Sequence, residues 1–228
     1  MKALLIIGSP KGKKSTSYPL GRRLASRLEE SGWDVEEFVA AAVPRSAEER
    51  QRFCRTADAA DLIVASFPLY VDQLPAPLIQ ALELVADFRK GAGTDSTHAA
   101  DSRVQKLAAI VQCGFPETLH NQPAVDILRQ YAHETGFAWA GALALGMGGA
   151  VGGRSLEKAG GVVRNVVRAV DQAGRSLAAG GDVPEDAIAL MARPLLPRWL
   201  YRLAANWGFR SRIKKNKAGK KIFDRPYA

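Results

Sequence analysis

The stretch Gly8-Ser9-Pro10-Lys11-Gly12-Lys13-Lys14-Ser15-Thr16-Ser17 crowds four hydroxyls and three lysines into ten positions, just ahead of a helical apolar pattern. Hydroxyls, backbone N–H groups and a helix N-terminus converging in one loop neutralise a phosphate, and lysines alongside add charge. A single serine is enough to cap a helix, so the surplus of hydroxyls favours phosphate binding over capping alone. A nucleotide-triphosphate P-loop does not fit, because that motif places four residues between its glycines and then Gly-Lys-Ser/Thr. Here Gly8 and Gly12 enclose only three, and Lys13 stands where the last glycine belongs. No later strand ends in an acid placed to organise magnesium.

These residues need a strand before them and a helix after. Lys2–Gly8 is nearly all apolar, which suits a strand buried on both faces. Leu20, Leu24 and Leu28 share one helical face over about Thr16–Ser31, ending at Gly32. Trp33–Val39 is read as a second strand, and Ser46–Ala57 as a short helix opened by the capping-box spacing of Ser46 and Glu49. Asp61–Phe67 repeats the buried-strand pattern. Leu78, Ala81, Leu82 and Val85 form the next helix face, and Arg89–Ser102 reads as loop or disorder. A strand over Lys106–Cys113, a helix over about Pro123–Thr135 and a strand over Phe137–Leu145 follow. A Gly-rich loop, Gly146–Gly153, leads to a long helix carrying Val162, Val163, Val166, Val167 and Val170. Five strands alternating with helices predict a doubly wound parallel sheet with helices on both faces. Ligands of such sheets bind at the carboxyl ends of the strands, which directs attention to the loops at 9–17, 68–74, 112–119 and 146–153.

Ser66-Phe67-Pro68-Leu69-Tyr70-Val71-Asp72-Gln73-Leu74-Pro75 reads, without further context, as a proline-punctuated turn with Tyr70 as core filler. Gly114 would permit close approach of a ligand to the backbone, and Phe115 would form a wall beside it. Cys113 has no resolving cysteine or cationic partner at hand, so it reads as a small apolar residue at a strand end. The run at 146–153 is no dinucleotide fingerprint, since Val151 occupies a required glycine position and the loop follows a late strand. It is expected to form a flexible rim or lid near the ligand. Cys54 and Cys113 are 59 positions apart with no ligand-spaced neighbours, and His98, His120 and His133 show no metal spacing, so neither a metal site nor a disulfide is expected.

In this order, the loops resemble those of the flavodoxin-like NAD(P)H-dependent FMN and quinone reductases, over most of Met1 to about Leu145. In that family a first strand ends in Gly-Ser-Pro-Arg followed by Ser, Asn or Thr residues around the flavin phosphate; here Lys11 replaces the arginine, keeping charge but losing bidentate geometry. The resemblance implies that Ser9, Lys11, Ser15, Thr16 and Ser17 hold the phosphate. It also implies that Pro68, Leu69, Tyr70 and Val71 wrap the ring and ribityl chain, chiefly through backbone, and that Cys113, Gly114 and Phe115 face the ring. Glu117 is either a helix-start acid or a partner for the pyrimidine edge of the flavin. The implied function is an FMN-dependent oxidoreductase passing reducing equivalents from NADH or NADPH to a quinone, flavin or other small acceptor. No acid–base residue is named, because the cofactor carries the chemistry. A flavodoxin-type electron carrier and a flavin-free binding module are the alternatives, and a homo-oligomer is expected.

Composition is that of an ordinary globular chain, 47% hydrophobic and 24% charged over 228 residues, with no apolar run of the ~20 residues a bilayer span needs and no signal-peptide pattern. A cytoplasmic protein is expected. The net charge of +9 is unevenly placed: from Arg193 onward there are 11 Lys and Arg and one acid, Asp224, while the preceding residues hold 21 basic and 22 acidic side chains. A domain at 1–192 and an amphipathic, polybasic extension at 193–228 follow. Leu200, Leu203, Ala204 and Trp207 predict a short helix between Pro197 and Gly208. Three readings of this extension stand open. It packs on the domain or a dimer partner; it lies through residues 197–221 on the inner face of a membrane; or it binds an acidic protein or nucleic acid, the last disfavoured because no nucleic-acid motif accompanies the charge.

Overall fold

The computed structural model describes residues 1–92, 104–153, 155–216, 219 and 224. The chain divides into two compact units, Met1–Leu195 and Leu196–Ala228. The first contains β1 (Lys2–Ile7), α1 (Ser17–Glu30), β2 (Asp34–Val39), α2 (Ala47–Ala59), β3 (Leu62–Pro68), α3 (Ala76–Ala92), β4 (Lys106–Gln112), α4 (Gln122–Thr135), β5 (Ala138–Leu145), α5 (Arg164–Ala178) and α6 (Glu185–Met191). The strands form one parallel sheet in the order β2-β1-β3-β4-β5. This is the doubly wound, flavodoxin-like architecture expected from the sequence, with the winding reversing between β1 and β3.

Strand parity builds the two faces. Leu5 and Ile7 of β1, with Leu62 and Val64 of β3, pack with Leu20, Leu24 and Leu28 of α1 and Val166 and Val170 of α5. Leu4 and Ile6, with Ile63, Ala65 and Phe67, join Phe53 of α2, Leu78 and Leu82 of α3 and Leu128 of α4. Successive strand residues point to opposite faces, so a strand covered on both sides must be apolar throughout. Each fully buried leucine or isoleucine contributes about 1.5–3 kcal/mol relative to exposure. On the first face, Arg23 grips Asp171 with two hydrogen bonds of 2.8 Å and ties α1 to α5.

Several elements differ from expectation. Arg89–Ala92 are the last turn of α3 rather than loop, because Arg89 donates from Nε to the Thr135 carbonyl at 2.9 Å and lies over the Phe137 ring at 4.2 Å. The rest of the expected loop, 93–102, lies outside the described residues. The long valine-bearing helix is interrupted: 156–163 is 3-10 with a break at Gly160, leaving Val162 exposed, while Val163, Val166 and Val170 are buried as their spacing suggests. α6 corresponds to no expected element. Before it, the Val183 N–H donates to the Ala140 carbonyl at 2.8 Å, covering the outer edge of β5 beside a bulge in the β4–β5 register. Ser46 caps α2 by accepting the Glu49 N–H at 3.1 Å, as the capping-box spacing indicates.

The second unit contains α7 (Arg198–Lys215), which runs through Gly208 for two more turns instead of stopping there. Arg212, Lys214 and Lys215 in its last turn suit the negative end of the helix dipole.

α1 lies close against the sheet at Gly21, where a Cβ would lie 2.9 Å from both Leu5 Cδ1 and Ser66 Cβ. Gly21→Val should therefore lower the unfolding free energy by about 2–3 kcal/mol through overpacking, despite the helix propensity gained on replacing glycine. A urea titration showing an unchanged midpoint at unchanged slope would contradict this packing.

Candidate cofactor site at the strand ends

Parallel register levels the strand ends. Ile7 pairs with Ser66, Ser66 with Ile110 and Ile110 with Leu143, so the loops after β1, β3, β4 and β5 leave the sheet along one edge.

The loop after β1 turns through a 3-10 segment at Gly12–Lys14. Ser9 is buried; its carbonyl accepts the Gly12 N–H at 2.9 Å and its Oγ accepts the Lys11 N–H at 3.3 Å. Ser15 closes the turn, donating from Oγ to the Gly12 carbonyl at 2.6 Å while accepting the Tyr18 N–H at 3.3 Å. Ser15 is thus engaged in holding the loop. Thr16 Oγ1 donates to the Gly148 carbonyl at 3.5 Å. Ser17 differs: its Oγ is buried and makes no hydrogen bond, while its carbonyl accepts from Ser66 Oγ at 2.8 Å. That hydroxyl stands in the first turn of α1, where an α-helix leaves N–H groups without internal partners. Among the lysines, Lys13 is drawn to Glu37 at 3.0 Å, and this carboxylate holds its pKa above the usual lysine value. Lys11 and Lys14 are exposed and form no ion pair among the described residues.

After β3, Pro68 pairs with Gln112 as the last residue of the strand, and the Leu69 N–H donates to the Gln112 carbonyl at 2.8 Å. Tyr70 and Gln73 exchange two backbone hydrogen bonds of 3.0 Å, forming a two-residue hairpin with Val71 at φ 50° and Asp72 at φ 58°. A β-branched residue at positive φ is strained, by about 1–3 kcal/mol. The turn displays Val71, 96% exposed, beside the half-exposed Tyr70, so Tyr70 is not core filler. Leu74 is buried and anchors the return of the loop.

Cys113 lies under the third loop. Its N–H donates to the Leu145 carbonyl at 3.0 Å, its carbonyl accepts from the Gly148 N–H at 2.8 Å, and its thiol sits 3.7 Å from the Phe115 carbonyl oxygen and 3.6 Å from that of Glu117. Burial pushes the thiol pKa up. Cys113 therefore sets the position of the loop, and the open surface above it belongs to Gly114, which has nothing within 4 Å of where a Cβ would stand, and Phe115. Phe115 packs against His120 with ring centroids 4.3 Å apart and the rings tilted by 34°. Glu117 precedes the 3-10 turn Thr118–Asn121 without capping it through its side chain.

The loop at 146–153 ties these parts together. A Cβ at Gly146 would fall 2.6 Å from the Pro116 carbonyl oxygen, and one at Gly153 would fall 2.8 Å from that of Lys14. Met147, fully buried at φ 57°, donates its N–H to the Phe115 carbonyl at 2.7 Å. Asn121 is also buried; Nδ2 donates to the Leu145 carbonyl at 3.2 Å and Oδ1 has no partner. Gly146, Met147, Gly148 and Gly153 belong to the loop that the sequence marks as a rim or lid, and their contacts make it a tie between neighbouring loops instead; Asn121 is a site-building residue that the sequence does not mark. The glycines were visible as a Gly-rich run, whereas nothing in the sequence distinguishes Asn121.

The result is a polar end, with Ser9, Thr16, Ser17, Lys11 and Lys14 around the start of α1, and an apolar end, with Tyr70, Val71 and Phe115 exposed beside the open backbone at Gly114. This arrangement suits a ligand with an anionic group at one end and a flat apolar body at the other. Among the described residues no group of three or more His, Cys, Asp or Glu is placed to hold a metal.

No curated protein matches the chain. Its fold is similar to those of an FMN-dependent NADH-azoreductase from Bacillus anthracis strain Ames Ancestor in complex with FMN (TM-score 0.55, 13% identity, covering 78% of this chain and 100% of that one), an NAD(P)H:quinone oxidoreductase from Methanothermobacter marburgensis (0.53, 17%, 78% and 96%) and a flavodoxin from Streptococcus pneumoniae TIGR4 (0.51, 16%, 79% and 99%). At these identities the likeness shows the fold. A family model described as flavodoxin-like fold matches residues 1–151, spanning the whole sheet, the first three strand-end loops and most of the fourth. With this match covering well over half of its length, the chain belongs to the flavodoxin-like fold family.

Proposed function

We propose that the chain is an FMN-dependent NAD(P)H oxidoreductase that reduces a small acceptor such as a quinone or a free flavin. The observation that carries this reading is the buried, unpartnered Ser17 hydroxyl at the start of α1. A buried hydroxyl without a partner costs about 1–3 kcal/mol, and a phosphate oxygen accepting from it would remove that cost. Ser9, Lys11, Thr16 and Ser17 are the residues that would hold the phosphate, with Ser15 keeping the turn closed. Leu69, Tyr70 and Val71 would flank the ring on one side, and Gly114, Phe115 and Glu117 on the other. When bound, FMN supplies two-electron chemistry between a nicotinamide and the acceptor. The chain itself binds, orients and shields.

The test is a visible spectrum of the purified protein after addition of FMN, followed by NADH or NADPH without oxygen. Bound flavin bleached by a nicotinamide is the expected result. Flavin that binds but is not reduced by either would mark an electron carrier, and no binding would overturn both readings. Ser17→Ala separates site from scaffold. It should leave the flavin-free protein as stable or slightly more stable, while weakening FMN about tenfold, a difference of about 1.4 kcal/mol. Equal FMN affinity in the variant, measured by flavin fluorescence quenching, would contradict the role given to this hydroxyl.

A further inference from the structure

We propose that α7 docks on an anionic lipid surface, lying in the interface with its apolar arc inward. This inference rests on α7 alone and is independent of the flavin reading. None of the 18 residues of α7 is buried, although the helix carries Trp199, Leu200, Leu203, Trp207 and Phe209. Trp199 is 65% exposed and Trp207 76% exposed. At 3.6 residues per turn, Leu200, Leu203, Ala204 and Trp207 make one continuous arc, with Trp199 at its margin, roughly 100° round the helix from Leu200, and with Arg202, Asn206 and Phe209 on the other side. Beyond Gly208 the remaining turns carry Arg210, Arg212, Lys214 and Lys215 around the helix. Because the helix does not end at Gly208, the apolar arc and the basic turns belong to one rod about 27 Å long.

Charge selects the occupant. From Arg193 to the end, 11 basic residues accompany a single acid, so two copies meeting through this segment would bring +10 against +10. A second copy is therefore a poor partner. An acidic protein or nucleic acid would satisfy the charge but gives no reason to present two tryptophans and two leucines to water. An anionic bilayer satisfies both, because its headgroups attract Lys and Arg while tryptophan and leucine enter the headgroup boundary. No helix among the described residues is long and apolar enough to cross a membrane, so α7 lies on the surface and does not span it.

Sedimentation of the full chain with vesicles tests this. Vesicles of phosphatidylcholine containing about 30% phosphatidylglycerol should bind the chain at least about tenfold more tightly than phosphatidylcholine alone. Raising salt from about 0.1 to about 0.5 M should weaken that binding severalfold. Tryptophan emission should shift to the blue on the anionic vesicles. Replacing Trp199→Ser and Trp207→Ser together should abolish the shift and reduce binding about tenfold, as should Arg210→Glu with Lys214→Glu. These positions are exposed, so far-ultraviolet circular dichroism should confirm unchanged folding of each variant. Failure of the wild-type chain to bind anionic vesicles would overturn the proposal. So would equal binding by the tryptophan variant, or tighter binding to duplex DNA or polyglutamate than to the vesicles.

Discussion

The backbone at 146–153 approaches two neighbouring loops so closely that side chains are excluded, and the candidate site depends on that approach. Gly146 meets the Pro116 carbonyl and Gly153 meets that of Lys14, each at a separation a Cβ would close to under 3 Å. Between them Gly148 donates to Cys113 and accepts from Thr16, so one short segment joins the loop after β4 to the loop after β1. Ser66 Oγ bonding to the Ser17 carbonyl and the Leu69 N–H bonding to Gln112 complete the circuit through β3. A loop ring already closed by hydrogen bonds is positioned before any ligand arrives, which lowers the ordering cost of binding.

This circuit needs the sheet beneath it. The loops meet because the strands end at the same level, and the level is set by a parallel register that the two-sided apolar core enforces. A slip of one residue in β1 would exchange Leu5 and Ile7 with Leu4 and Ile6 and so mismatch both helix layers at once. Gly21 and the Arg23–Asp171 pair then seat α1, whose first turn is the polar end of the site. Stability and site geometry thus share residues, and the strain at Val71 is tolerated where the loop is exposed.

The architecture was legible in the sequence because strands buried on both faces must be apolar runs, and the runs at 2–8, 61–67 and 106–113 are separated by glycine, proline and hydroxyl clusters. The location of the site followed, since ligands of doubly wound sheets bind outside the carboxyl ends of the strands, where the winding reverses. The division of labour inside the loop was not legible. Ser15 and Ser17 have the same chemistry two positions apart, and only backbone geometry makes one a structural clasp and the other an unpartnered donor. Lys13 looked like part of the cradle, but β2 places Glu37 within its reach. Asn121, Val183 and the β5 bulge act through contacts distant in sequence, and α6 is too short for periodicity to reveal. The helix at 198–215 outran its expected stop because a glycine inside a helix costs only about 1 kcal/mol.

The proposed ligand carries a phosphate at the polar end of this ring and a flat apolar body at the other. Titrating the protein with FMN and with riboflavin, which shares the ring and lacks the phosphate, tests it most directly. Flavin fluorescence should be quenched by FMN binding at least about 100-fold tighter, a difference of about 2.7 kcal/mol. Equal affinity for the two would contradict it.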